Sequence, residues 1–492
     1  MSKDDIIAKQ AAIIKARDKI IAQRNAHIEQ LYKMLKGFKS ERYVPDPALV
    51  NQPTLFAELV KEVEPLEKEE TTTVSYERKK KKHNGRNSFP KHLPVKEVII
   101  EPLEDTTGLV RIGEEVTETL DYTPASIVII RTIRPKYAKP NNEGVIIGDL
   151  PIRPIPKGIA EASLLAFILV KKFLDHLPFY RQIQIFKREY GWDVSKSTLN
   201  DWMAACTKLL EPLYNLMLEK ILASGYVQAD ETGLKVLDTN KKGDTHKGWM
   251  WLYYAPEQKM VYFNYRKGRG QHGPKEILKG YEGYLQVDGY TVYDIIGKDP
   301  NIKLAGCLAH VRRKYFDAKK NFPMEANKVL GLIKKIYLLE RKYKEEKLTI
   351  AEKTKKRQEE ILPIMSEWKN WIDKQILIAT PKSDLGKALT YSVNQWHKIE
   401  TIINNGRIEL DNNLIENAVR PLALGRKNYL FAGSHSGAER IAILYSMLHT
   451  CKKNDVNPYL WLEDVLNRLP NQSILKLEEL LPNNWNNQSK GV

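Results

Sequence analysis

The chain has 492 residues, 42% of them hydrophobic, and its 78 Lys and Arg outnumber 61 Asp and Glu for a net charge of +17. That balance belongs to a multidomain globular protein with a polyanionic partner, nucleic acid first. No apolar run approaches the ~20 residues that span a bilayer, MSKDDIIAKQ lacks the features of a secretory signal, and three scattered cysteines (Cys206, Cys307, Cys451) build neither a disulfide framework nor a Cys-rich zinc site.

Residues 1–40 predict one helix. Ile7, Ile14, Ile21, Ile28 and Leu35 recur every seven residues, with Ile6, Ile13 and Ile20 beside them. That period describes a coiled-coil seam and implies self-association; the plainer reading is a helix packed on its own domain. Residues 41–95 read as a linker, with an acidic stretch from Glu58 to Glu70 and then ERKKKKHNGR. Lys79, Lys80, Lys81 and Lys82 there are either phosphate contacts or a solvated tail.

Residues 96–156 hold short β-like runs and predict a small β module. From 157 to 224 the pattern turns helical. Within it YGWDVSKSTLNDWM places a Gly-containing turn before a helix capped by Ser195 or Ser197. This reads either as a helix-turn-helix, with Lys196 and Asn200 facing a groove, or as an ordinary helical hairpin.

Residues 225–325 predict a sheet. GYVQADETGLKVL, GWMWLYYAP and MVYFNYRKG follow one another closely, as in an antiparallel meander. GYLQVDGY is a further strand, and IKLAGCLAHVRRKYFDAKKNF passes from strand to helix. Residues 326–400 read as an inserted helical block, 401–436 as the return of the core, and 437–492 as terminal helices broken near Asn457-Pro458.

Asp230 and Asp288 each sit in or at the end of a β-run, where an unpaired charge is costly. Adjacent strands can set the two carboxylates side by side, and a hard cation relieves their repulsion. A third acid is offered by RIELDNNLIENAVRPLALGRKNYLFAGS, as Glu409, Asp411 or Glu416. Glu416 would share a helix face with Asn412, Asn413 and Arg420, whereas Asp411 or Asn412 suits a helix cap. Glu416–Arg420 alone would be read as a surface pair. Three such acids can hold two Mg²⁺ or Mn²⁺ ions for in-line displacement at a phosphodiester. Arg426 and Lys427, and His310, Arg313 and Lys314 along one helix face, are the candidate DNA contacts. His310 is equally readable as a core histidine. Glu231 should point to the opposite strand face from Asp230.

ADET, YLQVDGY, CLAHVRRKYFDA and LDNNLIENAVRPLALGRKNYLFAGS together resemble the insertion-sequence sixty-six family of transposases. RPIPKGIAEASLLAFILVKKFLDHLPFYRQIQIF, CKKNDVNPYLWLEDVL and LLPNNW extend the likeness over nearly the whole chain. The resemblance implies a multidomain α/β protein with an RNase H-like core and a helical insertion, and assigns the catalytic triad to Asp230, Asp288 and Glu416. It implies a DDE transposase that binds the ends of its element, cleaves and transfers strands, self-associates and works beside accessory proteins in the prokaryotic cytoplasm at the nucleoid. An inactive DNA-binding regulator and a nuclease without strand transfer are the alternatives. Two departures stand out. EDTTGLVRIGEE and RPKYAKPNNEGV contain none of the cysteines of the family's zinc module, so no zinc is expected. Asn417 follows Glu416 where the family usually has Arg.

Overall fold

The computed structural model describes residues 152–156, 158–237 and 244–486, with Ile127 and the backbone of two short strands, β1 (Lys136–Ala138) and β2 (Val145–Ile147). The heptad segment 1–40, the linker 41–95 with Lys79 to Lys82, and most of the segment 96–156 lie outside the described residues. β1 and β2 pair antiparallel, Tyr137 opposite Ile146.

Three helices follow: α1 (Ala162–Phe173), α2 (Phe179–Tyr190) and α3 (Lys196–Ala223). α1 is apolar over most of its surface and buries Leu165, Ile168, Leu169 and Phe173, as a helix held between others must. α2 ends at Gly191, whose φ of 62° is the left-handed cap that glycine adopts without a Cβ clash. Ser195 caps α3, its hydroxyl accepting the Thr198 N–H at 3.0 Å. Trp192 fills the turn between them, its ring centroid 5.1 Å from Phe186 and 6.3 Å from Trp202.

The sheet comprises β3 (Tyr226–Leu237), β4 (Thr245–Ala255), β5 (Met260–Arg266), β6 (Gly283–Gln286) and β7 (Ile302–Ala305). Its order is β5-β4-β3-β6-β7. The expected meander forms β3, β4 and β5, antiparallel throughout, while β6 and β7 run parallel to β3. Both faces of β4 are covered, and Trp251, Leu252 and Tyr253 are fully buried. A near-continuous apolar strand such as GWMWLYYA requires that cover. The short helices α4 (His272–Ile277) and α5 (Thr291–Ile296) lead into β6 and β7.

α6 (Leu308–Ala318) leaves β7 and is followed by the insertion: α7 (Pro323–Glu345), α8 (Ile350–Lys356), a π-helical turn (Arg357–Ile361), α9 (Leu362–Gln375) and α10 (Asp384–Ile403). These helices build a core of their own around Ile333, Ile336, Trp368, Ile372 and Leu389. Arg357 is fully buried at its edge. It donates to both oxygens of Glu340 at 2.9 and 2.7 Å and to the carbonyls of Ile402, Asn405 and Ile408. Neutralised and fully bonded, such a cation can be buried without penalty to specificity.

Three helices close the chain: α11 (Asn413–Tyr429), α12 (His435–Lys453) and α13 (Pro458–Arg468). α12 packs on β5 and α3, and α13 on α1. Asn457 caps α13 through its side-chain oxygen, at the expected break. Among the described residues no helix is long and apolar enough to cross a membrane.

Candidate active site

β3 and β6 carry the same local sequence. Gly225-Tyr226-Val227-Gln228-Ala229-Asp230 is matched by Gly283-Tyr284-Leu285-Gln286-Val287-Asp288. The two strands pair parallel with Tyr226 opposite Tyr284 and Gln228 opposite Gln286. Continued two residues further, the register sets Asp230 opposite Asp288. Tyr, Gln and Asp stand at positions two, four and six, so in β3 all three share a strand face, while Asp288 lies two residues past the end of β6. A glycine with positive φ stands at each strand start, Gly225 (70°) just before β3 and Gly283 (143°) opening β6. A Cβ on Gly283 would lie 2.3 Å from the Gly225 carbonyl oxygen, so the two strand starts meet only because a side chain is absent.

The two glutamines are fully buried and form the centre of a polar network. Gln228 donates to Gln286 at 2.9 Å, and Tyr226 donates to the same Gln286 oxygen at 2.6 Å. Gln286 donates in turn to the carbonyls of Gly306 (2.9 Å) and Glu409 (2.8 Å). Tyr226 accepts the Glu409 N–H at 3.0 Å, and Gln228 accepts the Ile415 N–H at 3.2 Å while donating to the Asp411 carbonyl. These bonds fix the segment before α11 to both aspartate strands. Arg426 ties the far end of α11 to β3 by donating to the Thr232 hydroxyl at 2.9 Å and to the Gly233 carbonyl. α11 is thus held at two points, and Glu416 lies in its first turn.

Of the three acids in that segment, Glu416 is the one that shares a cavity with Asp230 and adds its charge there. Glu409 pairs with Lys344 of the insertion at 2.7 Å. Asp411, one residue before the Asn412 N-cap, accepts the first helical N–H, that of Asn413, at 3.1 Å, and the Tyr337 hydroxyl at 2.8 Å. Glu416 lines an open cavity with Asp230, Glu231, Thr232, His310, Arg313, Val419 and Arg420.

Burial, with the neighbouring charges of Glu231, Asp288 and Glu416, pushes the Asp230 carboxyl up to about 8. A hydrogen bond from the Glu231 N–H at 2.8 Å opposes that rise. One Glu416 oxygen is buried without a hydrogen-bond partner. Concentrated, under-compensated negative charge of this kind is what a bound cation relieves. Asp288 accepts the Tyr290 N–H at 2.9 Å in the turn after β6. Tyr391 of α10 packs over that turn, where a Cβ on Gly289 would lie 2.6 Å from its ring.

Glu231 also borders the cavity, but its carboxylate takes other partners. Its carboxylate accepts two bonds from Arg269, at 3.1 and 2.6 Å, and one from Tyr293 at 3.2 Å. The Arg269 guanidinium lies 4.0 Å from the Tyr290 ring centroid and 4.6 Å from that of Trp249.

The sequence-predicted basic residues divide. His310, Arg313 and Arg420 line the acid cavity. Burial holds the His310 imidazole below its usual range, against the pull of Glu416 and Asp288. Lys314 lies over the Tyr391 ring at 5.6 Å. Arg426 turns inward, as above, and Lys427 is exposed at the end of α11. Lys196 is exposed at the start of α3, and the Asn200 amide donates to the Lys196 carbonyl at 2.8 Å. Sequence reasoning missed Gln228, Gln286 and Tyr391. The repeated GYxQxD hexapeptide was the available signal for the first two.

Comparison with known proteins agrees with the whole length of the described chain. A family model described as "Transposase IS66 family" matches residues 157–440, and "IS66 C-terminal element" matches 446–483. "Zinc-finger binding domain of transposase IS66" matches residues 105–138, a stretch without Cys or His in this chain. "Transposase C of IS166 homeodomain" matches residues 25–98. Two proteins of Sinorhizobium fredii, both named as uncharacterized, are similar over most of their length. y4jD is 36% identical over 420 residues, covering 81% of each chain. y4qI is 33% identical over 506 residues, covering 97% of this chain and 92% of its own. The chain belongs to the IS66 family of transposases.

Proposed function

We propose that the chain is a DDE transposase that cleaves the ends of its own insertion sequence and joins them to target DNA. The observation that carries this reading is the parallel pairing of β3 with β6, which brings Asp230 near Asp288, two residues past β6, with Glu416 close enough that both charges act on Asp230. The sheet order, three antiparallel strands followed by two parallel ones, supports an RNase H-like core.

Asp230, Asp288 and Glu416 would hold two Mg²⁺ or Mn²⁺ ions; the raised Asp230 carboxyl and the unpartnered Glu416 oxygen fit that role. Bound there, such ions supply an activated oxygen nucleophile and charge neutralisation at the scissile phosphate. Gln228, Gln286 and Tyr226 keep the three carboxylates in register. Arg313 and Arg420 on the cavity wall attract and orient the phosphodiester, and Lys196 and Lys427 extend the contact along the backbone. The α2–α3 hairpin binds the element end, Lys79 to Lys82 add phosphate contacts, and the heptad helix pairs two chains across two ends. Companion proteins of the element assist, at the nucleoid.

The test is a labelled element end incubated with the full chain and Mg²⁺. Strand nicking and a joined target product are expected. Asp288→Asn should cut cleavage by roughly a hundredfold or more, as loss of one charge-stabilising group does in other enzymes, with end binding retained. Binding without cleavage by the wild-type chain would favour the regulator, and cleavage without joining the simple nuclease.

A further inference from the structure

Cys307 and His310 were not needed for the reading above, yet they meet Glu416. Cys307 is the N-cap of α6 and His310 lies in the first turn three residues on, so both face the same side. The cysteine sulfur, a His310 ring nitrogen and a Glu416 oxygen all lie within 4.8 Å of one another. His310 Nε2 is 3.8 Å from Glu416 Oε1, too far for a hydrogen bond. His310 Nδ1 and Glu416 Oε1 are both buried without a partner. Such atoms are normally satisfied, and those that are not call for an explanation. The Cys307 thiol is buried; burial and the Asp411 charge push it up, against the backbone N–H groups of Asn412 and His310, so without a cation it stays protonated.

We propose that Cys307, His310 and Glu416 form a binding site for a thiophilic divalent cation of the zinc class, and that its occupation withdraws Glu416 from Asp230 and Asp288. One sulfur, one nitrogen and one oxygen select a softer ion than the all-oxygen set of the three acids. Three protein ligands with a remaining open position is a recurrent zinc arrangement. On coordination the Cys307 thiol loses its proton to solvent, and His310 binds in its neutral form. The second half of the proposal rests on Glu416 being the third catalytic carboxylate; the binding itself does not. The expectation of a zinc-free chain then extends to the β module and not to this site.

Cobalt(II) is the probe, added to chelator-stripped full-length protein. A near-ultraviolet sulfur-to-cobalt charge-transfer band is expected. It reports Cys307, because Cys206 and Cys451 are buried in α3 and α12 and fall in no such cluster among the described residues. Cys307→Ser should abolish the band, Cys206→Ser should keep it, and His310→Ala should weaken cobalt binding by roughly tenfold or more, since even changes one sphere further out cost 10–100-fold. If Cys307→Ser fails to fold, His310→Ala decides alone. An absent band in folded wild-type protein, or a full band in Cys307→Ser, overturns the site. With labelled DNA, zinc should raise the Mg²⁺ concentration needed for half-maximal cleavage, and excess Mg²⁺ should restore the rate. A cobalt band without that competition would overturn the sharing of Glu416 and leave the metal site standing. No cleavage under any condition, with the band present, would count against the proposed function alone.

Discussion

Asp230→Asn should stabilise the metal-free protein. The carboxyl is held at about 8 by burial and by Glu231, Asp288 and Glu416, against an ordinary value of 3.8. A carboxyl raised in the folded state favours folding while protonated and loses that advantage as pH climbs from about 4 to about 8. At pH 7 nearly the whole interval from 3.8 has been crossed, which at 1.36 kcal/mol per unit sets a ceiling of about 4 kcal/mol. The cavity is open to water and lined by Arg313 and Arg420, so screening reduces this to about 1–2 kcal/mol. Asparagine keeps the side-chain oxygen that accepts the Glu231 N–H and removes the charge. Thermal unfolding of both proteins in chelator, from pH 5 to pH 8, measures the effect. The variant should melt a few degrees higher at pH 7, at about 2–4 °C per kcal/mol, and the gap should close toward pH 5. Added Mg²⁺ should raise the wild-type melting temperature and leave the variant nearly unmoved. A variant that melts at or below wild type at pH 7, or a gap that widens on acidification, refutes the account of a site strained by its own carboxylates.

Glu416→Gln should lose cleavage by roughly a hundredfold or more with little change in melting, whereas Glu409→Gln should lose only its pair with Lys344 and retain activity; the reverse pattern in a nicking assay would move the third acid. Asp411→Ala removes the Asn413 cap and should cost about 0.5–2 kcal/mol of stability, read by urea unfolding. Gln286→Leu leaves the Gly306 and Glu409 carbonyls without their donor and should cost about 1–3 kcal/mol together with activity; unchanged unfolding would deny the network its role. Deleting residues 1–37 should lower the mass seen by light scattering at micromolar concentration while the far-ultraviolet spectrum of the core persists, and an unchanged mass would place self-association elsewhere.

Much of this architecture can be read from residue order, because local rules and the tertiary outcome agree. The meander follows from three strand runs with short connections, and the break at Asn457 from a capping residue before proline. Asp230 and Asp288 stand out because carboxylates are rare at such strand positions. Glu409, Asp411 and Glu416 could not be separated by spacing alone. Their fates depend on Lys344 and Tyr337, which the inserted helices bring back from far along the chain. Gln228 and Gln286 look like ordinary polar strand positions until the parallel register sets them face to face. Arg426 has the look of a DNA contact in the basic GRKN, but β3 offers it the Thr232 hydroxyl and the Gly233 carbonyl first. Tyr391 was hidden in a stretch whose helical pattern speaks only of packing.

The Gln228 bond to Ile415 joins groups 187 residues apart in sequence. A ribosome that has delivered both aspartates must still make the whole insertion before Glu416 exists, and the helix bearing Glu416 cannot dock until the glutamines receive residues 409–415. Truncated products ending anywhere in the insertion therefore carry two acids with no means of closing the site. Such fragments also lack α12, whose Thr450 and Ser446 hydroxyls accept the Val261 and Phe263 N–H groups of β5. Synthesis order thus acts as a safety catch: the three acids meet only in a molecule that is nearly complete.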